Sequence, residues 1–218
     1  MPTQFAKHRS SGWPLAMHVI TLEEGGLLVH SPTWIDEQTI AELRAMGTPR
    51  ILFAPNHFHH LSLERYRALF PEATVVASAG AIPRLRAKGH EGLRSTDEVE
   101  LPSGLRWLVP GGTSSGEAWL AIDGEDGPTW IVCDAFFNAP APLRGVEGAI
   151  LRLAKTGPGL SIGMTYALLC IRDKARYREW VIDAVTRERP RSILFSHGEP
   201  LQTDVTPAVT AIIRRRLS

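Results

Sequence analysis

Three histidines, His57, His59 and His60, fall within four consecutive positions of the stretch ILFAPNHFHHLSL, residues 51 to 63. Two further polar groups stand directly after apolar runs: Asp134 in TWIVCDAFF and His197 in ILFSHGEP. Imidazole and carboxylate together suit zinc, iron or manganese. An ion so held polarises a substrate oxygen and lowers the pKa of a bound water, which is the chemistry of hydrolysis. The two cysteines, Cys133 and Cys170, lie in apolar surroundings without metal-type spacing, so no thiolate is expected in the ligand set. Each candidate also has an ordinary structural role open to it. A loop histidine is often plain polar surface, an aspartate after a strand can accept turn amides, and His197 before Gly198 can close a strand. His8, His18, His30 and His90 have no partners in the pattern and are read as structural or surface residues. Gly111 and Gly112 in VPGGTSSGE lack the lysine and the strand-to-helix context of a phosphate-binding loop.

The elements that must position these groups alternate in type. MHVITL and GLLVHS read as strands joined through EEGG, and DEQTIAELRAMG as a helix capped by Asp36 and ended by Gly47. RILFAP is a buried strand, LSLERYRALFP a helix stopped by Pro71, TVVAS a strand and AIPRLRAKG a short helix. LRWLVP, EAWLAIDG and PTWIVCDA then read as three consecutive strands. From 136 to 187 the pattern is helical, broken by KTGPGLSIG, and is expected to form core helices around a Gly-Pro turn. RSILFS is a last strand and PAVTAIIRRRL a closing helix. The rhythm implies helices packed outside a sheet, in one α/β domain over residues 1–218. The candidate residues therefore stand at strand ends, where a sheet fixes the backbone and a loop leaves side chains reachable.

Composition excludes some functions. Lys+Arg 24 against Asp+Glu 23 gives a formal net charge of +1, with no broad footprint for nucleic acid or an anionic membrane. The opening residues lack the apolar stretch of a signal peptide and no segment has the length of a membrane span, so a cytoplasmic protein is expected. Nothing in the pattern fixes an oligomeric state.

MHVITLEEGGLLVHSP, LFAPNHFHH, VPGGTSSGEAWL, TWIVCDAFF and ILFSHGEPL, taken in order across nearly the whole chain, resemble the metallo-β-lactamase fold. More narrowly, GGLLVHSP, APNHFHHLSL followed by FPEATVVA, and the late HGEPL resemble a branch of that superfamily with a reduced histidine motif. The resemblance implies an αββα four-layer sandwich, an α/β fold that some schemes class as α+β, with a metal site along one edge. Such enzymes carry His-x-His-x-Asp-His after a strand, a histidine in a later Gly-His turn, a bridging aspartate and a histidine before a glycine. Asp134 and His197 match the last two, and Gly112 stands where the Gly-His turn is expected. The first motif fits in two registers. In one, His57 and His59 are the first pair, with Leu61 and Ser62 in place of the aspartate and last histidine. In the other, which the spacing to FP favours, Pro55 replaces the first histidine, His57 is the second, His59 replaces the aspartate and His60 is the last.

That register implies one divalent ion, zinc first with iron or manganese as alternatives, held by His60, Asp134 and His197 with His59 close by; His57 is a further candidate. The implied activity is hydrolysis of an ester, thioester, lactone or phosphodiester in a small-molecule substrate. Asp134 would orient the water, and His59 would act as ligand in preference to general base. The competing expectation is a non-catalytic protein that has lost its metal and binds a ligand or partner in the old cleft. Iron-based redox chemistry is a third option.

Overall fold

A strand whose residues are buried at every position needs cover on both faces, because successive side chains point to opposite sides of a sheet. Gly26–His30 and Ile51–Ala54 are such runs, and in the computed structural model they lie side by side within a six-stranded sheet. The structure describes residues 2–8, 14–33, 36–114, 116–139, 149, 153 and 158–217. The large sheet is β1 (Thr3–His8), β2 (Pro14–Thr21), β3 (Gly26–His30), β4 (Thr48–Ala54), β5 (Thr74–Ala77) and β6 (Leu93–Ser95), neighbours in chain order. β1 to β3 run antiparallel and β3 to β6 parallel. A second sheet has the order β12 (Ser192–Phe195), β9 (Thr129–Val132), β8 (Trp119–Ile122) and β7 (Leu105–Leu108), with β12 parallel to β9.

The period of two sorts the side chains into layers. Leu28, Ile51, Phe53 and Val76 meet Leu120 and Ile131 between the two sheets. The alternate residues Val29, Leu52, Val75 and Ala77 pack on α1 (Glu37–Met46) and α2 (Leu63–Leu69) through Ile40, Leu43, Leu63 and Tyr66. A short α3 (Ile82–Arg86) adds Leu85 to that layer. On the far side Trp119, Trp130 and Val132 pack on α5 (Lys174–Glu188) and α6 (Val205–Arg216) through Tyr177, Val181, Val209 and Ile213. The result is helix, sheet, sheet, helix, the αββα sandwich of an α/β fold. Asp36 caps α1 by accepting from Thr39 N at 2.8 Å, and Gly47 follows its last turn. Among the described residues no helix is long and apolar enough to cross a membrane.

One stretch departs from the helical reading of 136–187. Phe137–Ala139 forms β10 and pairs antiparallel with β11 (Gly159–Ser161); between them the described residues Ala149 and Leu153 are helical, and α4 (Met164–Leu169) and α5 follow β11. Three-residue strands are too short to display alternation, and Gly159, with φ +79°, ends a Gly-Pro-Gly turn that reads equally as a helix connection. Most of residues 140–157 lies outside the described residues.

His18 and His30 are buried between the sheets, their rings 6.0 Å apart edge to face. His18 Nε2 donates to the Phe195 carbonyl at 3.1 Å, and the His30 ring lies 5.3 Å from that of Phe53. Burial pushes the His18 imidazole down to about 4, the Phe195 hydrogen bond opposing it, and burial with the neighbouring His18 and His59 holds His30 well below its ordinary value. Both are therefore neutral in the folded chain while the unfolded chain binds protons near pH 6.5. Their contribution is complete above pH 6.5 and is lost as the pH falls, His18 alone accounting for about 3 kcal/mol by pH 4. His18→Gln keeps a donor for Phe195 and does not titrate, so its melting temperature falls less between pH 7 and pH 5 than that of the parent. Equal falls would refute the assignment.

Candidate metal centre

Because β3 and β4 run parallel, and β9 and β12 likewise, the loops that leave these four strands gather at one edge of the sandwich. Asn56 is the second residue after β4, and its Oδ1 accepts from Phe58 N at 2.8 Å and His59 N at 3.2 Å. That side-chain turn curls the histidine loop back on itself. Ser31, the first residue after β3, holds the left-handed φ of 56°, uncommon for a residue other than glycine. Its Oγ lies 2.7 Å from His59 Nδ1, leaving Nε2 of that ring to face the edge.

His59 Nε2 lies 3.3 Å from Asp134 Oδ2 and 3.1 Å from His197 Nε2, and His197 Nε2 lies 3.1 Å from Asp134 Oδ1. Cys133 Sγ joins them, so that four potential donors lie within 4.8 Å of one another. Asp134 follows β9 by one residue, and His197 follows β12 by one and precedes Gly198, where a Cβ would overlap the Asn138 backbone. Phe137 packs its ring 5.2 Å from that of His197. The side chains of His59, His197 and Asp134 are 10%, 13% and 15% exposed, so the cluster touches solvent, whereas Cys133 beneath it is fully buried.

Beneath the cluster stands Glu117, just ahead of β8 and wholly buried. Its Oε1 accepts from Cys133 N at 2.7 Å, and its Oε2 from Asp134 N at 2.6 Å, Ala135 N at 3.1 Å and Asn56 Nδ2 at 3.0 Å. Asn56 Nδ2 also donates to Asp134 Oδ2 at 2.7 Å. Burial and then the Asp134 charge push the Glu117 carboxyl up to about 7, against the pull of its amide donors. Burial acts on Asp134 in the same direction, but the charge of His59 and the hydrogen bonds from His197 and His59 outweigh it and hold that carboxyl well below the usual range. The negative charge of this pair is thus concentrated where the histidines converge.

Of the residues singled out by type and spacing, the structure brings His59, Asp134 and His197 together and leaves His57 and His60 out of that group. His57 is buried with its ring 3.9 Å from that of Phe58, and its carbonyl accepts from Lys88 Nζ at 2.8 Å. His60 turns the other way. Its Nδ1 lies 2.9 Å from His90 Nε2, its Nε2 takes Lys88 Nζ at 2.9 Å, and His90 Nδ1 reaches Glu64 Oε1 at 3.0 Å. Both ring nitrogens of His60 are thereby engaged, and burial with the Lys88 charge pushes its imidazole down to about 4. Gly112, without a side chain to offer, packs at the start of α5, where its carbonyl accepts from Arg172 N and Asp173 N, and from that segment it is Glu117 that reaches Asp134. Cys133, expected to be remote from any ligand set, lies at the floor of this one because its strand alternation turns it inward. Asn56, Ser31 and Glu117 carried no motif. The one signal for Glu117 was an ionisable residue heading the buried run EAWLA.

The donor set fits a metal ion. Two imidazole nitrogens and a carboxylate are borderline ligands for zinc, iron or manganese. Their separations of 3.1 to 3.3 Å match the roughly 3.3 Å between donors of a tetrahedral ion with bonds of about 2.0–2.1 Å.

No protein-family model matches the chain, and no curated protein does. Solved structures do. The DIM-1 metallo-β-lactamase is 9% identical, with a TM-score of 0.67 over 97% of this chain and 92% of its own. The metallo-β-lactamase FIM-1 from Pseudomonas aeruginosa, in its mono-zinc form, is 12% identical, with a TM-score of 0.63 over 98% and 90%. The Flv1 flavodiiron core from Synechocystis sp. PCC6803 is 12% identical, with a TM-score of 0.64 over 99% of this chain and 57% of its own. With the four layers and the strand-end cluster already in place, these likenesses establish that the chain has the metallo-β-lactamase fold.

Proposed function

We propose that the chain is a metal-dependent hydrolase that works with one divalent ion held by His59, Asp134 and His197. The observation that carries this reading is the convergence of two Nε2 atoms and a carboxylate within 3.1 to 3.3 Å at a partly exposed edge. Zinc is the first candidate, in line with the mono-zinc form of FIM-1, and iron the next, in line with the flavodiiron core. Bound there, an ion supplies Lewis acidity and a water of lowered pKa for attack on an ester, thioester, lactone or phosphodiester. The chain's own groups hold the site in register. Ser31 engages Nδ1 of His59 and so directs Nε2 to the centre, as partners of metal-bound histidines do. Asn56 steadies one oxygen of Asp134, and Glu117 fixes its backbone. With both nitrogens of His59 engaged, that residue serves as a ligand and not as a general base. Asp134 is left to orient the water. The substrate is a small molecule and not nucleic acid or a membrane surface, in keeping with the net charge of +1, and the setting is cytoplasmic.

A second reading has its own support. His59, Asp134 and His197 also satisfy one another directly at these distances, as in a metal-free scaffold that binds a ligand without catalysis. Metal content separates the two. On the hydrolase reading, protein produced without a histidine tag carries close to one equivalent of metal by mass spectrometry. His59→Ala and His197→Ala lose it, while His57→Ala and His60→Ala keep it. Metal-free parent protein after incubation with zinc, iron and manganese would favour the scaffold.

Glu117→Gln tests the support beneath the cluster. It turns one acceptor into an amide that faces backbone N–H donors, so denaturant unfolding shows a loss of about 3 kcal/mol. Unchanged stability would show that the carboxylate is not what ties these loops together.

A further inference from the structure

Away from the metal cluster, a cavity of about 330 Å³ opens between the turn after β5, the turn after β6, the glycine-rich stretch before β8 and the first turn of α5. None of His59, Asp134 and His197 lines it. Much of its wall is bare backbone, at Gly80, Gly111, Gly112 and Gly116. Two of these glycines are required: a Cβ on Gly112 would overlap the backbone of Asp173 and Tyr177, and one on Gly116 would overlap the Thr113 side chain. Arg176 lies against Gly111, where a Cβ would stand 3.4 Å from its Nε.

The cavity wall carries one cation, Arg176, and one anion, Asp97. Arg65, Arg106 and Arg187 each pair with a carboxylate. Arg176 and Asp97 line the same cavity, yet they pair neither with each other nor with any other described residue. Thr96, also in the wall, is 6% exposed and its Oγ1 has no hydrogen-bond partner among the described residues. A cation and an anion held apart across a small cavity are complementary to a molecule that carries both charges. A guanidinium offers a carboxylate two parallel N–H donors, and a carboxylate accepts from an ammonium in charge-assisted bonds. The volume lies at the small end of ligand pockets, as suits a small molecule.

We propose that this cavity binds a small zwitterion of the amino-acid class, its carboxylate on Arg176 and its ammonium on Asp97. The site stands whether or not the edge cluster holds a metal. Glycine, γ-aminobutyrate and ε-aminocaproate form a ruler for the spacing of the two charges, with hexanoate and hexylammonium as controls that carry only one. Calorimetric titration of the full chain should show saturable binding of at least one of the three amino acids and none of either control at the same concentrations. Arg176→Ala and Asp97→Asn should each weaken it about tenfold or more. Both residues are exposed, so the variants should melt with the parent. His197→Ala should bind as the parent does, which separates this site from the metal centre. Binding by no member of the series, equal binding of hexanoate and ε-aminocaproate, or full affinity in either variant would overturn the proposal.

Discussion

The Glu117 carboxylate accepts the backbone N–H groups of Cys133, Asp134 and Ala135 and the side-chain amide of Asn56, with no exposure to solvent. Removing a carboxylate from water costs several kcal/mol, and only a full set of donors offsets that. The four donors come from the loop after β4 and the loop after β9, and the acceptor from the start of β8. One buried group therefore ties together the segments that carry the cluster. Asn56 passes the constraint on, since its amide binds both carboxylates while its oxygen folds the histidine loop.

The layers explain why this edge is available for chemistry. In β3, the second half of β4, β8 and β9 odd and even positions are nearly all buried, so polar side chains collect where these strands end. Parallel pairing of β3 with β4 and of β9 with β12 puts four such ends on one side. Ser31, Asn56, Asp134 and His197 are the first or second residues beyond those ends, and they inherit the rigidity of the sheets. His18 and His30 are the exception to apolar packing between the sheets, and both are held neutral by burial.

Most of the architecture was legible in the residues. Asp36 at the start of α1 and the order of β2 to β5, β7 to β9 and β12 with their helices follow from local rules that tertiary structure did not override, whereas β1 and β6 have no counterpart in that reading. β10 and β11 were not legible, because three residues beside a Gly-Pro-Gly turn carry no periodicity. At the site, Asp134 and His197 could be placed by their strand ends alone. Which of three neighbouring histidines faces them could not, because the choice is made by long-range partners. Ser31, 28 positions upstream of His59, captures that ring, while Lys88 and His90, 28 and 30 positions beyond His60, capture the other. Spacing within the motif holds no record of either capture. Glu117 was hidden for the opposite reason: it has the character of a ligand, yet its role is to accept hydrogen bonds.

That role bears on how many ions the proposed enzyme holds. An ionised carboxylate has about four lone-pair sites. Glu117 commits Oε2 to two backbone amides and Asn56 and Oε1 to the amide of Cys133, so its oxygens are turned to the loops that it ties and not to the cluster. Asn56 likewise commits its oxygen to Phe58 and His59 and its amide to the two carboxylates. His57 lies outside the cluster and His60 has both nitrogens engaged elsewhere. What remains able to coordinate is the set His59, Asp134 and His197 with the Cys133 thiol beneath. On the proposed reading, the groups around the first ion are held by hydrogen bonds that keep the edge folded, and a single ion is the occupancy that this network favours.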